Sequence, residues 1–197
     1  MKAALITLGT IVGLAVLLLL WGMGVYNGFV ANQENVNGAW AQVQNVYQRR
    51  ADLVPNLVET VKGAANFEKS TLTAVVDARS RVGSFTVDKS ILNDPAKFKQ
   101  FEEAQGSLSS ALSRLMVVIE KYPDLKANQN FRDLQVQLEG TENRITVERR
   151  AFNEVCVAYN TAIRRLPAAI VANIGGFKEK PYFEAAPDAQ KAPSVKF

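Results

Sequence analysis

The chain opens with a long uncharged stretch. Residues Ala3 to Val25, AALITLGTIVGLAVLLLLWGMGV, contain no Asp, Glu, Lys or Arg. At about 1.5 Å of rise per residue, a helix of this length can cross a hydrocarbon layer of roughly 30 Å. Trp21 and Tyr26 stand at its end, where interfacial aromatic residues are common. We therefore predict a transmembrane anchor over residues 3–25. The alternative is a cleaved signal peptide, which has a shorter apolar core and a more basic start.

Few positive charges flank this span. Lys2 and the amino terminus precede it, and no Lys or Arg occurs from Met23 to Gln48. Because positive groups tend to stay in the cytoplasm, this count favours a cytoplasmic N-terminus and an extracytoplasmic or periplasmic domain, with a cytoplasmic domain as the alternative. Gly9 and Gly13 form a GxxxG pair, a spacing that lets two membrane helices approach closely.

Beyond the span, apolar residues recur at alternating steps of three and four, the period of helices that pack side by side as in coiled coils. Four such stripes with short connections predict an all-α fold, an antiparallel up-down-up-down four-helix bundle with long helices. The first stripe stays in phase with the anchor, so we expect one helix to continue through both. We assign residues 26–166 to the bundle and 167–197 to a C-terminal loop and tail.

Two prolines mark features within these helices. Pro55 lies inside the first stripe and lacks a backbone N–H, so we expect a kink there, with a break into two helices as the alternative. Asp94 followed by Pro95 is the pattern of an N-cap and first helical position, and it predicts the start of the third helix.

Two arginines occupy stripe positions that otherwise hold large apolar residues, Arg50 in the first stripe and Arg79 in the second. Burying an unpaired guanidinium costs too much free energy to be left uncompensated. Counting helical levels from the turns places Glu142 near Arg50 and Glu139 near Arg79. We predict a polar layer that joins Arg50, with Arg49 as a further candidate, to Glu142, with Glu139 near Arg79, and that fixes the helix register.

The fourth helix should return to the membrane surface, because it and the first helix beyond the span would each be about 60 Å long. Its end carries Arg164 and Arg165, followed by the apolar run Ala168 to Ile174. Contact of this end with membrane lipid headgroups is one interpretation. Docking of the C-terminal segment against the bundle is the other.

The chain has no His and one Cys, Cys156. This composition excludes Ser-His-Asp and Cys-His nucleophile pairs, His-ligated zinc or haem, and an intrachain disulfide. Di-iron sites in helical bundles also use His, and facing arginines would repel a metal from the carboxylates. The net charge of +4, from 23 basic and 19 acidic residues that are interspersed, is unlike that of nucleic-acid-binding proteins. We predict no catalytic residue, metal, cofactor or nucleic-acid partner.

Several segments resemble one known family. They are RRADLVPNLVETVK at 49–62, LEGTENRI at 138–145, ERRAFNEVCVAYN at 148–160 and GGFKEKPYFEA at 175–185. From Tyr26 onward the chain is similar to the LemA family of bacterial membrane proteins. The resemblance implies an N-terminal anchor in the cell membrane with a helical bundle, and it implies no catalytic function or site residues. It links related proteins to membrane organisation and compartment formation, and it implies an external N-terminus, opposite to the charge count.

Together these features lead us to expect a non-enzymatic, membrane-anchored helical scaffold. Three features are typical of a protein that associates with itself, with lipid or with protein partners at the membrane. They are a first helix that continues from the anchor, few reactive groups, and a C-terminus that returns to the membrane surface. Two alternatives stay open. One is an enzyme or lipid-binding protein whose site forms between subunits, and the other is a relay component of envelope signalling.

Overall fold

The structure, a computed structural model, describes residues 2–63, 68–85 and 89–184. Within these ranges the regular elements are all helical and no strand occurs, so the all-α prediction is confirmed. The elements are α1 Lys2–Lys62, α2 Lys69–Gly83, a 3₁₀ helix Lys89–Asn93, α3 Pro95–Ile119, α4 Pro123–Lys126, α5 Gln129–Arg164 and α6 Ala168–Ile174.

Helix α1 unites the apolar span and the first stripe in one element of 61 residues. Its large apolar side chains are exposed from Leu5 to Leu20, and it is the one helix in the described part of the chain that is long and apolar enough to cross a membrane. From Phe29 onward one face of α1 is buried, at Phe29, Val36, Trp40, Val43, Tyr47, Arg50, Val54, Leu57, Val58 and Val61. The predicted anchor segment and the first core helix therefore form one continuous rod.

Pro55 does not divide this rod. Helix α1 continues past it to Lys62, so the alternative of two separate helices is wrong. In a regular helix the N–H of residue 55 would bond to the carbonyl oxygen of Ala51, but proline has no N–H to donate. Arg79 of α2 supplies the missing donor, since its Nε lies 3.0 Å from Ala51 O. The neighbouring helix thus satisfies the carbonyl that Pro55 leaves without its helical partner.

We expect Arg79→Ala to lower the free energy of unfolding by about 1 kcal/mol, the usual net value of one hydrogen bond. Pro55→Ala should remove most of this loss, because the amide of residue 55 can then donate to Ala51 O. Urea unfolding of the full chain in mild detergent, followed by circular dichroism, measures the four members of this double-mutant cycle. Arg81→Ala, at an exposed arginine of the same helix, is the matched control. If Arg79→Ala cost the same free energy in the Pro55→Ala background, Arg79 would not be replacing the donor that Pro55 lacks.

Contacts along α1 give the directions of its neighbours. Trp40 packs against Phe152 of α5, with ring centroids 5.5 Å apart. Further along α1, Arg50 contacts Glu142, which comes earlier in α5, so α1 and α5 run antiparallel. Trp40 also packs against Phe101 of α3, whereas Arg50 contacts the later Gln105, so α1 and α3 run parallel. The up-down-up-down bundle as a whole stays a prediction.

The buried core has two parts along the rod. The aromatic core lies around Trp40 and includes Phe29, Trp40, Tyr47, Phe98, Phe101, Phe152, Tyr159 and Phe183. The aliphatic core lies beyond Arg50 and includes Val54, Leu57, Val61, Leu72, Val75, Leu108, Leu112, Leu115, Ile119, Phe131 and Leu138. Arg50 therefore stands between the two parts, where α1 passes from one to the other.

Side-chain caps begin two of the long helices. Asp94 Oδ1 accepts hydrogen bonds from the backbone N–H groups of Ala96 and Lys97, both at 3.1 Å, so the predicted cap of α3 is confirmed. Asn128 Oδ1 accepts from the N–H of Phe131 at 3.3 Å and begins α5 in the same way. These oxygens satisfy N–H groups that the first turn of a helix leaves without partners.

The segment after Pro167 is more ordered than the predicted loop and tail. It contains helix α6, and residues 177–184 then return along α5 as an extended segment. Ala172 and Phe183 are buried, and this apolar burial explains why the segment docks against the helices. The prediction of a loop alone is therefore wrong for 168–174, and residues 185–197 lie outside the described part of the chain.

Candidate functional site

Arg50 is the most deeply buried charge of the described residues, with 1% of its side chain exposed. Its Nη1 donates to Glu142 Oε1 at 2.7 Å and to Ser109 Oγ at 2.6 Å. Its Nη2 donates to the side-chain and backbone oxygens of Gln105. The guanidinium carbon lies 5.2 Å from the centroid of the Tyr47 ring, within the range of a cation–π contact. One buried charge thus connects α1 with α3 and α5.

The carboxylate side of this cluster is open to solvent. Glu142 keeps 41% of its side chain exposed, so water screens part of its attraction to Arg50. On the opposite side, burial raises the pKa of the Tyr47 phenol, although the nearby Arg149 and Arg50 act to lower it. The phenol therefore stays protonated at neutral pH and acts as a packing surface for the guanidinium group.

Of the residues predicted for this polar layer, the structure brings together Arg50 and Glu142. Arg49 is exposed and does not join them. Successive residues of a helix point about 100° apart, so Arg49 cannot share the buried face on which Arg50 lies. Its inclusion in the layer was wrong.

Arg79 and Glu139 also lie outside the layer, and their predicted pairing is wrong. The buried stripe of α2 passes through Ala78, which leaves Arg79 exposed at the edge, where it contacts Ala51 O. Glu139 is exposed and accepts a hydrogen bond from Gln135 Nε2 on its own helix at 2.9 Å. A shift of one residue in the stripe of α2 is sufficient to separate the two groups.

The sequence did not predict two of the hydrogen-bond acceptors of Arg50, Gln105 and Ser109. Gln105 is a polar residue within the apolar stripe of α3, between Phe101 and Leu108, and this is the same kind of exception that singled out Arg50. It could have been proposed as a partner on that ground. Ser109 lies beside the stripe and gives no comparable signal.

A second ion pair joins α5 to α3. Arg149 Nη2 lies 2.5 Å from Glu102 Oε1 and donates to the backbone oxygen of Glu184 at 3.0 Å. Its guanidinium carbon lies 4.5 Å from the centroid of the Phe183 ring. Burial raises the pKa of the Glu102 carboxyl, and the positive charge of Arg149 opposes that effect. This pair therefore links both helices to the C-terminal segment.

Two asparagines of α5, Asn153 and Asn160, hold that segment in an extended form, and we call them the asparagine clamp. Asn160 Nδ2 donates to Lys180 O at 2.9 Å, and Asn160 Oδ1 accepts from Lys180 N–H at 2.8 Å. Asn153 makes the same two bonds with the backbone of Phe183, both at 2.9 Å. Seven residues of helix rise about 10.5 Å and three residues of extended chain span about 10 Å, so the spacings match.

The remaining buried reactive groups lie beside this clamp. Lys180 is buried, with its Nζ 2.5 Å from Asn93 Oδ1, and burial lowers its pKa. Burial raises the pKa of the Cys156 thiol to about 12, so the thiol is protonated at neutral pH and is a poor nucleophile. Across residues 2–63, 68–85 and 89–184, no group of three or more Cys, Asp or Glu side chains is placed to hold a metal ion.

The residues predicted to lie near the membrane are exposed. Trp21 and Tyr26 lie on the outside of α1, and Arg164 and Arg165 lie at the end of α5. The Tyr26 ring packs edge-on against Phe177, with centroids 5.3 Å apart. The chain that follows α5 therefore returns to the part of α1 that directly follows the predicted span of residues 3–25.

These contacts are structural. The Arg50 cluster, the Arg149–Glu102 pair and the asparagine clamp each connect elements that are far apart in sequence. Together they join α1, α3 and α5 to one another and to the C-terminal segment. Lys180 adds to these links, since its Nζ donates to Asn93 Oδ1 and so joins the C-terminal segment to the 3₁₀ helix.

Comparison with known proteins shows what the chain is similar to. The model of the LemA family matches residues 39–197. The magnetosome protein MamQ of Magnetospirillum gryphiswaldense is 29% identical over 178 residues, which cover 82% of this chain and 65% of that protein. Magnetosome protein MamQ 2 of Paramagnetospirillum magneticum has the same identity and coverage. Protein LemA of Metamycoplasma hominis is 25% identical over 142 residues, covering 72% of this chain and 60% of that protein. The chain thus spans less than two thirds of the length of these relatives.

Proposed function

Because this chain belongs to the LemA family, we propose that it is a non-enzymatic, membrane-anchored helical scaffold that associates with itself in a bacterial inner membrane. The family, the relatives and the apolar N-terminal helix indicate a membrane-associated protein. Similarity to proteins named for the magnetosome supports a contribution to membrane organisation. Membrane lipid, further copies of the chain and other membrane proteins are the partners that we propose.

The continuity of α1 carries this proposal. The apolar segment and the central core helix are parts of a single helix from Lys2 to Lys62. A continuous helix transmits position and tilt, because every turn is fixed to the next by backbone hydrogen bonds. A rod of this kind holds the helical domain at a defined place above the bilayer, which is what a scaffold requires.

The side of the membrane is part of the proposal. Lys2 precedes the span, and residues 23–48 contain no Lys or Arg, so we place the helical domain outside the cytoplasm. Protease added to spheroplasts should digest the helical domain, and intact cells are the comparison. Protection of the domain in spheroplasts, with digestion only after lysis, would place it in the cytoplasm.

The apolar segment offers a surface for self-association. A Cβ atom added at Gly9 or Gly13 would meet no heavy atom within 4 Å, so this face of α1 is open. Residues four apart in a helix share a face, and small side chains there allow a second helix to approach closely. We propose that two copies of α1 pack across Gly9 and Gly13.

Crosslinking of the full chain in bacterial membranes tests this contact. We expect a crosslinked dimer for the unaltered chain and a loss of that dimer in Gly13→Ile, because the larger side chain keeps the two helices apart. Gly22→Ile is the matched control, since Gly22 also has open space around it but lies nine residues from Gly13, about 180° around the helix. A monomer at every expression level of the unaltered chain would contradict self-association. An undiminished dimer in Gly13→Ile would contradict the contact at Gly9 and Gly13.

A further inference from the structure

We propose that the exposed face of α6 lies in the boundary between lipid headgroups and acyl chains, in the same leaflet at which α1 leaves the bilayer. The chain would then contact the membrane at two places, through a spanning helix and a short helix lying on the surface. This inference rests on the proposed anchorage by α1, and the experiment below separates the two.

The position of α6 beside α1 is the first observation. The Phe177 ring, three residues after α6, packs edge-on against both Tyr26 and Phe29, with centroids 5.3 Å apart in each case. A Cβ atom at Gly175 would lie 3.2 Å from Cε2 of Tyr26. Tyr26 directly follows the predicted span of residues 3–25, so α6 lies level with the end of that span.

The side chains of α6 divide between two environments. Ala172 is buried against the other helices, whereas Ile170 and Ile174 are 59% and 84% exposed. Residues four apart share a helix face, so Ile170 and Ile174 form one apolar surface. Leu166, just before α6, is 82% exposed and adds to it. Branched apolar side chains this exposed are unfavourable in water and favourable in lipid.

Basic side chains flank this apolar surface. Arg164, Arg165 and Lys178 are exposed, and Glu179 is the one acid among them, with its Oε1 3.7 Å from Arg164 Nη1. Exposed Lys and Arg beside an apolar face are the features of a helix that lies on an anionic membrane surface. The charge at this end therefore complements lipid headgroups.

The chain after α6 fixes its orientation. Phe177 packs on α1, and the asparagine clamp holds Lys180 and Phe183 by their backbones. The exposed face therefore points in a set direction relative to α1. A lipid surface is the occupant that we favour over a second copy of the chain, because α6 lies beside the end of the predicted span and exposed basic side chains flank its apolar face.

Fluorescence quenching by lipid tests the position of α6. The full chain is reconstituted into vesicles of phosphatidylcholine and phosphatidylglycerol, and an environment-sensitive fluorophore is attached to a cysteine introduced by Ile174→Cys. Met23→Cys, in the span, is the positive reference. Val147→Cys, at an exposed position of α5 far from α6, is the negative reference. The native Cys156 is buried, and the unaltered chain is the control for any labelling of that thiol.

Lipids that carry a nitroxide on the acyl chain should remove most of the fluorescence at positions 174 and 23 and leave that at 147 unchanged. Quenching at 23 without quenching at 174 would overturn the inference about α6 and leave the anchorage intact. Absence of quenching at both positions would overturn the anchorage itself. A signal at 174 that responds to the protein-to-lipid ratio and not to nitroxide would assign the face to a second copy and overturn the lipid contact.

Discussion

Replacement of Arg50 by alanine is expected to lower the free energy of unfolding by about 3 kcal/mol. Removing one partner of a buried ion pair costs about 3–5 kcal/mol, because the other polar groups lose their partners inside the protein. The lower end of that range applies here, since Glu142 is 41% exposed and water can solvate its charge. Gln105 and Ser109 lose the guanidinium as well.

Urea unfolding of the full chain in mild detergent measures this loss. Trp40 is fully buried in the aromatic core, so the red shift of its fluorescence reports the opening of that core. Arg49→Ala is the matched control, because it removes an exposed arginine from the adjacent position of the same helix. The same loss for both variants would contradict the role of Arg50. The double-mutant cycle with Glu142→Ala gives the part of the loss that belongs to the ion pair.

Replacement of Asn160 by alanine is expected to lower the free energy of detaching residues 177–184 from α5 by about 2–4 kcal/mol. Asn160 is buried and pairs with both backbone groups of Lys180 and with the Tyr182 hydroxyl. Without it, the N–H and carbonyl of Lys180 are left without a partner in the interior, at about 1–3 kcal/mol for each group. The C-terminal segment should then detach more often than the helices unfold.

Hydrogen exchange of the full chain in detergent, analysed by mass spectrometry, measures that detachment. Amide exchange in residues 177–184 should become faster in Asn160→Ala, while exchange in α1 and α3 changes little. Asn143→Ala is the matched control, because Asn143 is an exposed asparagine of the same helix and the change in helix propensity is the same. Unaltered exchange of residues 177–184 in Asn160→Ala would show that the clamp does not hold the segment.

Several features of the fold were predictable because they depend on neighbouring residues alone. The uncharged run from Ala3 to Val25 predicts a helix that can span a membrane, and α1 has that length and composition. The step of three and four residues predicts long helices, and Asp94 with Pro95 predicts the start of α3. Arg50 was predictable as a buried charge because it interrupts an otherwise apolar stripe.

The partners of the charged residues were less predictable. Level counting found Glu142 for Arg50, because both groups lie on long helices of opposite direction. The same counting failed for Arg79 and Glu139, since it takes no account of how far each helix is rotated about its axis. The role of Arg79 at Ala51 O follows from Pro55, which lies 24 residues earlier in the chain.

The sequence alone predicts the long helices, the apolar segment that can span a membrane and the apolar face of each helix. Each of these features depends on residues within a few turns of one another. The contacts of Arg50 with two other helices, the donor that completes α1 at Pro55 and the docking of residues 177–184 on the asparagine clamp arise only in three dimensions. Each of them joins residues far apart in the chain and depends on helix rotation. A rotation by one residue is about 100° and exchanges a buried partner for an exposed one.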